Sequence, residues 1–238
     1  MVTDLFPLTL SAAQTSRRGK RLIGPVDLTL NGQGTCVVLG PNGSGKTTLL
    51  RLMHGSARLT RGQITWACPT KKVRHAQAFV FQRPVMLRRS VQENLIYPLK
   101  IRGAHRREAR AKVRVWANRV GLDEILDRPA TVLSGGEQQK LAIARALITE
   151  PKVVFLDEPT AALDGRATRE VEAILTAAQA AGTRLILSTH DMGQARRLAK
   201  DIVFLLNGRV HENGPADVFF ENAQTAEARA FLQGDIVE

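Results

Sequence analysis

Two hydrophobic patterns dominate the chain. Near its beginning, apolar residues alternate with polar neighbours at a period of two, at Leu8 and Leu10 and again at Val26, Leu28 and Leu30. That period predicts strands with one buried face. Later runs are short and almost entirely apolar, which predicts parallel strands covered on both faces. These runs are 35–39, 153–156 and 185–187.

Helical patterns fill much of the remaining chain. Ser134 and Glu137 form a capping box that predicts the start of a helix, and Pro151 ends it. A further helix is predicted from Arg166 to Ala181, before Gly182. The remaining predicted elements are short strands at 63–66 and 78–81, a hairpin over 202–210 and a helical tail from residue 216.

The segment from Gln82 to Gly121 is helical in pattern and strongly basic. Within it, Val113, Trp116 and Val120 recur at helical spacing, which predicts a buried stripe opposite a solvated basic face. Because the segment lies between apolar strand runs, it predicts a helical insertion between two halves of one α/β domain.

Composition narrows the class of protein. The 238 residues, 44% of them hydrophobic, suffice for one α/β domain with a small inserted subdomain. No apolar run reaches the roughly 18 residues of a membrane span, and the mixed first ten residues do not resemble a signal peptide. The two cysteines, Cys36 and Cys68, have no metal-binding spacing and are expected to be reduced thiols in the cytosol.

The formal net charge of +12 leaves two interpretations open. One is a protein that binds nucleic acid or a membrane surface. The other, which we favour, is a protein that handles a polyanionic nucleotide close to an anionic lipid leaflet. Single-strand binders require a run of aromatic residues interleaved with the basic ones, and the sequence has no such run.

A glycine-rich loop between a predicted strand and a predicted helix carries the clearest chemistry. It matches the pattern G-x-x-x-x-G-K-[ST], in which backbone N–H groups and the helix N-terminus surround an anion. Lys46 supplies a charge for the β- and γ-phosphates, and the Thr47 hydroxyl can ligate Mg²⁺. The predicted nucleotide-binding residues of this loop are Gly40, Pro41, Asn42, Gly43, Ser44, Gly45, Lys46, Thr47 and Thr48.

Two further motifs carry polar groups. Asp157 and Glu158 follow a buried strand, where Asp157 can hold Mg²⁺ and Glu158 can polarise the attacking water. The alternative is that both carboxylates only cap the junction before Pro159. The second motif, Leu133–Glu137, exposes N–H groups at a capped helix start through Ser134, Gly135 and Gly136. Because one loop already binds the triphosphate, this second anion site must serve something else.

These motifs resemble the ATP-binding subunit of an ABC transporter over nearly the whole chain. The glycine loop is similar to Walker A, Val153–Glu158 to Walker B, and Leu133–Glu137 to the signature motif, with Glu137 where Gln is commoner. Gln82 matches the Q-loop, 162–164 the D-loop and His190 the switch histidine. The motifs stand in the family's order.

The resemblance implies an α/β fold: a P-loop NTPase core with a mainly parallel sheet, an N-terminal antiparallel β subdomain and an inserted helical subdomain. It implies one ABC-type ATP-binding domain over 1–238, with the helical subdomain at about 83–150. It also implies ATP hydrolysis with Mg²⁺ held by Thr47, Gln82 and Asp157, and with Glu158 and His190 as catalytic residues.

The resemblance further implies a homodimer with ATP at the interface, where Ser134, Gly135 and Gly136 of one copy meet the glycine loop of the other. Its remaining implied partners are transmembrane permease subunits and, indirectly, a substrate-binding protein, with the chain on the cytoplasmic side of the cell membrane and no nucleic acid. One departure is the region Ser16–Arg18, which lacks the aromatic residue that stacks on adenine in relatives; an arginine could stack there instead.

Two short segments carry a finer resemblance. Arg51–Gly55 and Phe81–Val91 are similar to the ATP-binding subunits of tungstate-type oxyanion importers, with phosphate importers close behind. We therefore expect an oxyanion importer. The alternatives are an ABC ATPase of an exporter or lipoprotein-release complex, or a soluble ABC ATPase acting on nucleic acid.

Overall fold

The computed structural model describes residues 4–235 and residue 237. It contains two sheets, which confirms the predicted fold class. The strands are β1 Leu8–Arg17, β2 Lys20–Leu30, β3 Thr35–Leu39, β4 Arg61–Trp66, β5 Gln77–Val80, β6 Val153–Asp157, β7 Arg184–Ser188, β8 Asp201–Leu206 and β9 Arg209–Pro215. The helices are α1 Lys46–His54, α2 Thr70–Ala76, α3 Val91–Ile101, α4 Arg106–Arg119, α5 Gly135–Leu147, α6 Gly165–Ala180, α7 Met192–Leu198, α8 Ala216–Asn222 and α9 Ala226–Gln233.

The smaller sheet is antiparallel, in the order β2-β1-β4. It uses the alternating residues near the beginning of the chain, and its inward side chains, such as Leu8 and Leu10, are buried. Trp66 at the end of β4 packs edge-on against Phe6, with ring centroids 5.3 Å apart. Trp66 is therefore a packing residue of the hydrophobic cluster beneath this sheet.

The larger sheet has the order β5-β6-β7-β3-β8-β9 and is parallel except for β9. The three apolar runs are its central strands β3, β6 and β7, and every residue in them is buried. Because neighbouring parallel strands end at the same edge, the residues after β3, β6 and β7 come together there. The loop after β3 is the glycine loop, so this edge holds the candidate site.

Along the chain, helices α3, α4 and α5 follow β5 and precede β6. They share a hydrophobic cluster that includes Leu95, Val113 and Leu141. The predicted stripe is real: Val113 and Val120 are buried, and Trp116 is half-buried. Trp116 and Ile174 of α6 also pack against the cluster of the main sheet, so they join the helical part to the core. The boundary predicted for this subdomain, 83–150, stays a prediction, as does the single domain over 1–238, whose residues 1–3, 236 and 238 lie outside the described part.

Several element boundaries differ from those expected. Helix α6 begins one residue earlier than predicted, at Gly165, because the Asp164 side chain accepts a hydrogen bond from the N–H of Ala167 and caps it. Helix α2 was not predicted. It has seven residues, of which only Val73 is buried, so it leaves almost no hydrophobic period in the sequence.

Candidate nucleotide site

The glycine loop joins β3 to α1 through backbone conformations that favour glycine. Gly43 and Gly45 have φ angles of 83° and 104°. A Cβ atom at Gly40 would collide with the backbone carbonyl oxygen of Leu205, so this position admits no side chain. The loop therefore bends tightly against β8 and presents its N–H groups at the start of α1.

Lys46 is held across this loop. Its side chain is 5% exposed, and its Nζ donates to the carbonyl oxygens of Gly40 at 2.9 Å and Pro41 at 3.1 Å. Burial lowers the pKa of Lys46, while the carboxylates of Glu158 and Asp157 act in the opposite direction. The buried Ser44 Oγ has no hydrogen-bond partner in the described part of the chain, so the loop retains a polar atom for an anion.

Asp157 ends β6 directly beside Ser188 at the end of β7. Its Oδ1 accepts hydrogen bonds from Thr47 Oγ1 at 2.8 Å and from Ser188 Oγ at 2.9 Å. Oxygen atoms are the ligands that Mg²⁺ prefers, and this ion is usually bound by one or two carboxylates together with substrate phosphates and waters. The described residues contain no cluster of three or more His, Cys, Asp or Glu side chains that could hold a metal.

Glu158 follows at once, with a φ angle of 43° that turns its side chain out of the strand. Its N–H donates to the carbonyl oxygen and to Oγ of Ser188, both at 3.1 Å. Its carboxylate, only 11% exposed, lies 3.5 Å from Lys46 Nζ and 3.3 Å from His190 Nδ1, and accepts from Gln82 Nε2 at 3.2 Å. Four motifs distant in sequence thus meet at one carboxylate.

Ser134 caps α5 at a separate place. Its N–H and Oγ both donate to Glu137 Oε2, at 2.8 and 2.7 Å, and its Oγ accepts from the Glu137 N–H at 3.3 Å. These hydrogen bonds lower the pKa of Glu137. Gly135 has open space where a side chain would stand. Within the described residues, no hydrogen bond or ion pair joins this helix start to the Glu158 cluster.

The structure therefore brings most of the predicted site residues together: the glycine loop, Gln82, Asp157, Glu158 and His190. It leaves Ser134, Gly135 and Gly136 apart on the same chain. Sequence reasoning gave no role to Ser188, which positions both Asp157 and Glu158. The sequence signal that could have identified Ser188 is its position. It is a hydroxyl residue directly after the apolar run of β7, at the sheet edge where the glycine loop lies.

The region expected to lack an adenine-stacking aromatic is the turn between β1 and β2, where Arg17 and Arg18 are exposed. No contact of either arginine identifies it as the base-stacking residue, so that role stays a prediction. Sequence reasoning also passed over Leu22, which is 42% exposed and whose backbone oxygen lies beside Gly45 of the loop. Leu22 offers an apolar surface at the border of the phosphate cradle.

A strand, a phosphate loop and a carboxylate-bearing strand in this order define a P-loop nucleotide-hydrolysing protein. The family model described as "ABC transporter" matches residues 23–161, and the chain belongs to that family. It is an ATPase, with ATP as its nucleotide and Mg²⁺ as its metal cofactor. None of the described helices is both long and apolar enough to cross a membrane.

Three similar proteins place the chain within the family. The tungstate uptake system ATP-binding protein TupC of Peptoclostridium acidaminophilum is 37% identical, over 90% of this chain and 99% of its own length. The glutamine transport ATP-binding protein GlnQ of Escherichia coli K12 is 33% identical, over 87% of this chain and 91% of its own. The structure of cbiO1 from Clostridium perfringens, part of the ABC transporter complex cbiONQ, has a TM-score of 0.81 at 27% identity and covers 92% of both chains.

Proposed function

We propose that this chain is the ATP-hydrolysing subunit of an ABC importer whose substrate is an oxyanion such as tungstate. The observation that carries the catalytic part is the meeting of Lys46, Gln82 and His190 at the carboxylate of Glu158. The importer and the oxyanion are supported by the similarity to TupC over nearly the full length of both chains. The resemblance of Arg51–Gly55 and Phe81–Val91 to oxyanion importers points the same way.

In this proposal, the residues of the cluster have different roles in binding and hydrolysing ATP, according to their charge. Lys46 and the N–H groups of the glycine loop bind the β- and γ-phosphates, because a buried ammonium and oriented N–H groups stabilise anionic oxygens. Thr47, Asp157 and Gln82 provide oxygen ligands for Mg²⁺, which neutralises charge on the phosphates when bound. Glu158 accepts a hydrogen bond from the attacking water, and His190 holds that carboxylate in place.

The signature residues act on the partner's nucleotide. Ser134, Gly135 and Gly136 begin a helix that no hydrogen bond or ion pair joins to the cluster within the described part of their own chain, so a second copy completes the site. The assembly then offers its outer surfaces to transmembrane permease subunits, and through them indirectly to a substrate-binding protein. In this proposal the chain is peripheral on the cytoplasmic side of the membrane, and no nucleic acid is expected as a partner.

The experiment purifies the chain with the permease subunits that co-purify with it and reconstitutes the complex in lipid vesicles. We expect ATP hydrolysis to rise several-fold with the cognate binding protein loaded with tungstate, and to rise less with phosphate or glutamine. Glu158→Gln in the same vesicles is the control for hydrolysis by this site.

The competing functions give different results in the same assay. An exporter or lipoprotein-release ATPase would respond to substrate on the cytoplasmic side and ignore the binding protein. A soluble ATPase that acts on nucleic acid would be stimulated by DNA or RNA without the permease, with a steep dependence on salt. The net charge of +12 is compatible with this last alternative, and stimulation by nucleic acid would overturn the proposal.

A further inference from the structure

A large cavity lies at the end of the molecule opposite the nucleotide site. Its volume is about 1060 Å³, and helices α4, α5 and α6 contribute to its lining. Lys152 and Thr183, which also line it, directly precede β6 and β7. Asp157 and Ser188 stand at the other ends of these two strands. The cavity is therefore separated from the Glu158 cluster by the length of the sheet.

The inner surface of the cavity is apolar. Trp116 of α4, Leu147 of α5 and Ile174 of α6 line it from three sides. Trp116 and Ile174 also contact both the helical cluster and the cluster of the main sheet, so the cavity lies at the junction of the two parts. Its volume is close to the upper limit of sites that bind small organic ligands, which span about 300–1,000 Å³.

The charged residues at the cavity are unbalanced. Both of its acids are already paired: Glu170 with Lys140 at 2.9 Å and Arg166 at 3.0 Å, and Glu150 with Lys112 at 3.1 Å. Two lining cations remain at its solvent-facing border, Arg119 and Lys152.

Neither of these two cations has an ion-pair partner among residues 4–235. The guanidinium of Arg119 instead lies 5.0 Å from the centroid of the Trp116 ring, where it borders the apolar surface. A ligand with an apolar body and a negative head group would satisfy both features, because it covers the apolar wall and pairs with the free cations.

We propose that this cavity binds a small amphipathic anion. The apolar part of the ligand packs against Trp116, Leu147 and Ile174, and its anionic group contacts Arg119 and Lys152. The ligand touches residues of both the helical part and the core, so it favours the arrangement of the two parts that is present here. This inference does not depend on the transported substrate or on the dimer.

The fluorescence of Trp116 can report ligand binding in the cavity. Trp66 and Trp116 are its two tryptophans, so Trp66→Phe leaves the cavity residue as the sole indole. This variant is titrated with decanoate, decanol and decyltrimethylammonium below their micelle-forming concentrations. We expect a saturable change of Trp116 emission with decanoate, a Kd at least tenfold higher for the other two, and a fall in Kd of about three- to fourfold for each added methylene group.

Matched variants locate the binding. Arg119→Gln/Lys152→Gln is expected to raise the Kd for decanoate about tenfold. The control Arg209→Gln/Lys71→Gln removes the same charge from exposed positions elsewhere and leaves the Kd unchanged. Ala177→Phe fills part of the cavity and is expected to abolish binding, with thermal melting and ATPase activity as checks on its folding.

Three outcomes would overturn the proposal. Equal binding of the anionic, neutral and cationic probes would remove the anion preference. An unchanged Kd in Arg119→Gln/Lys152→Gln would place the ligand elsewhere even if Ala177→Phe fails to fold. A linear emission change without saturation would mean that no site exists. Each result stands independently of the nucleotide site, because the readout does not involve ATP.

Discussion

The carboxylate of Glu158 has polar neighbours from three different parts of the chain. Lys46 comes from the glycine loop, Gln82 follows β5, and His190 follows β7. A carboxylate placed in this way is a base whose orientation is fixed by other side chains, as water activation requires. Asp157, one residue earlier, instead accepts hydrogen bonds from the hydroxyls of Thr47 and Ser188, and we propose it as a metal ligand.

Glu158→Gln tests the division between binding and chemistry. The amide keeps the shape of the side chain but is a much weaker base, so turnover should fall by on the order of a hundredfold or more while the Kd for ATP changes little. Phosphate release and nucleotide titration measure the two quantities. Glu221→Gln, at an exposed acid of α8, is the control. Wild-type turnover in Glu158→Gln would mean that another group activates the water.

Lys46→Ala tests the phosphate loop itself. The substitution removes the buried ammonium that holds the Gly40 and Pro41 carbonyl oxygens, so the Kd for ATP should rise at least about tenfold. Equilibrium titration with ATP is the measurement, and Lys71→Ala at an exposed position of α2 is the control. Unchanged affinity in a folded Lys46→Ala protein would refute the assignment of this loop.

At the scale of elements, α5 begins with a capping box in which the hydroxyl of Ser134, in the signature motif, is already hydrogen-bonded. Ser134 Oγ donates its proton to the Glu137 carboxylate at 2.7 Å. Before this hydroxyl can donate to a phosphate of a partner's nucleotide, that hydrogen bond must break. A charged carboxylate is also a stronger acceptor than an amide, and it repels a phosphate. Glu137 therefore restrains the signature serine.

Glu137→Gln should release that restraint. We expect the ATP concentration for half-maximal activity to fall by about two- to tenfold, since a charge-assisted hydrogen bond is roughly 1 kcal/mol stronger than a neutral one. Hydrogen bonds from Ser134 lower the pKa of Glu137 in the folded protein. The stabilisation that charged Glu137 gives to the helix cap, and its restraint on Ser134, are therefore complete above the ordinary carboxyl pKa of about 4.3. Both are lost as the pH falls through the lowered pKa of the folded protein.

The difference between wild type and Glu137→Gln should accordingly be largest at neutral pH and shrink in acid. ATPase titrations at pH 7 and at the lowest pH where both proteins stay folded provide the measurement. A higher half-maximal ATP concentration in Glu137→Gln would contradict the restraint.

At the scale of the whole molecule, the two halves of the proposed site lie apart on one chain. The Glu158 cluster gathers at the edge where β3 and β6 end, while the open start of α5 belongs to the inserted helices. Two copies facing each other would bring these halves together, with a nucleotide as the link.

Glu158→Gln should therefore form a dimer with ATP and Mg²⁺ that sedimentation velocity detects, and adding Ser134→Ala should weaken it about tenfold or more. Ser90→Ala is a matched control, because Ser90 caps α3 with the same box, formed with Glu93. Both alanine substitutions cost about 1 kcal/mol of capping, so a shared loss of stability cannot explain a difference between them. Equal dimerisation in the two variants would exclude Ser134 from the interface.

Local signals were enough to predict much of the fold and to name most residues of the candidate site. The periods of the strands, the glycines and lysine of the loop, and the Ser134 capping box are each encoded within a few neighbouring residues, and the structure places them as predicted. Helix α2, with a single buried residue, left no such signal and was missed. Ser188 was missed because its role arises only from the strand beside it.

By itself, the sequence determined which residues could bind phosphate, cap a helix or form a buried strand, because those properties depend on backbone conformation and hydrophobic period over short distances. The tertiary structure alone decided what these residues meet. The order of strands in the large sheet puts Glu158 against Lys46, Gln82 and His190, and the packing of the inserted helices on α6 creates the cavity with its free cations. Contacts between distant segments depend on sheet order and helix packing, which no local pattern records.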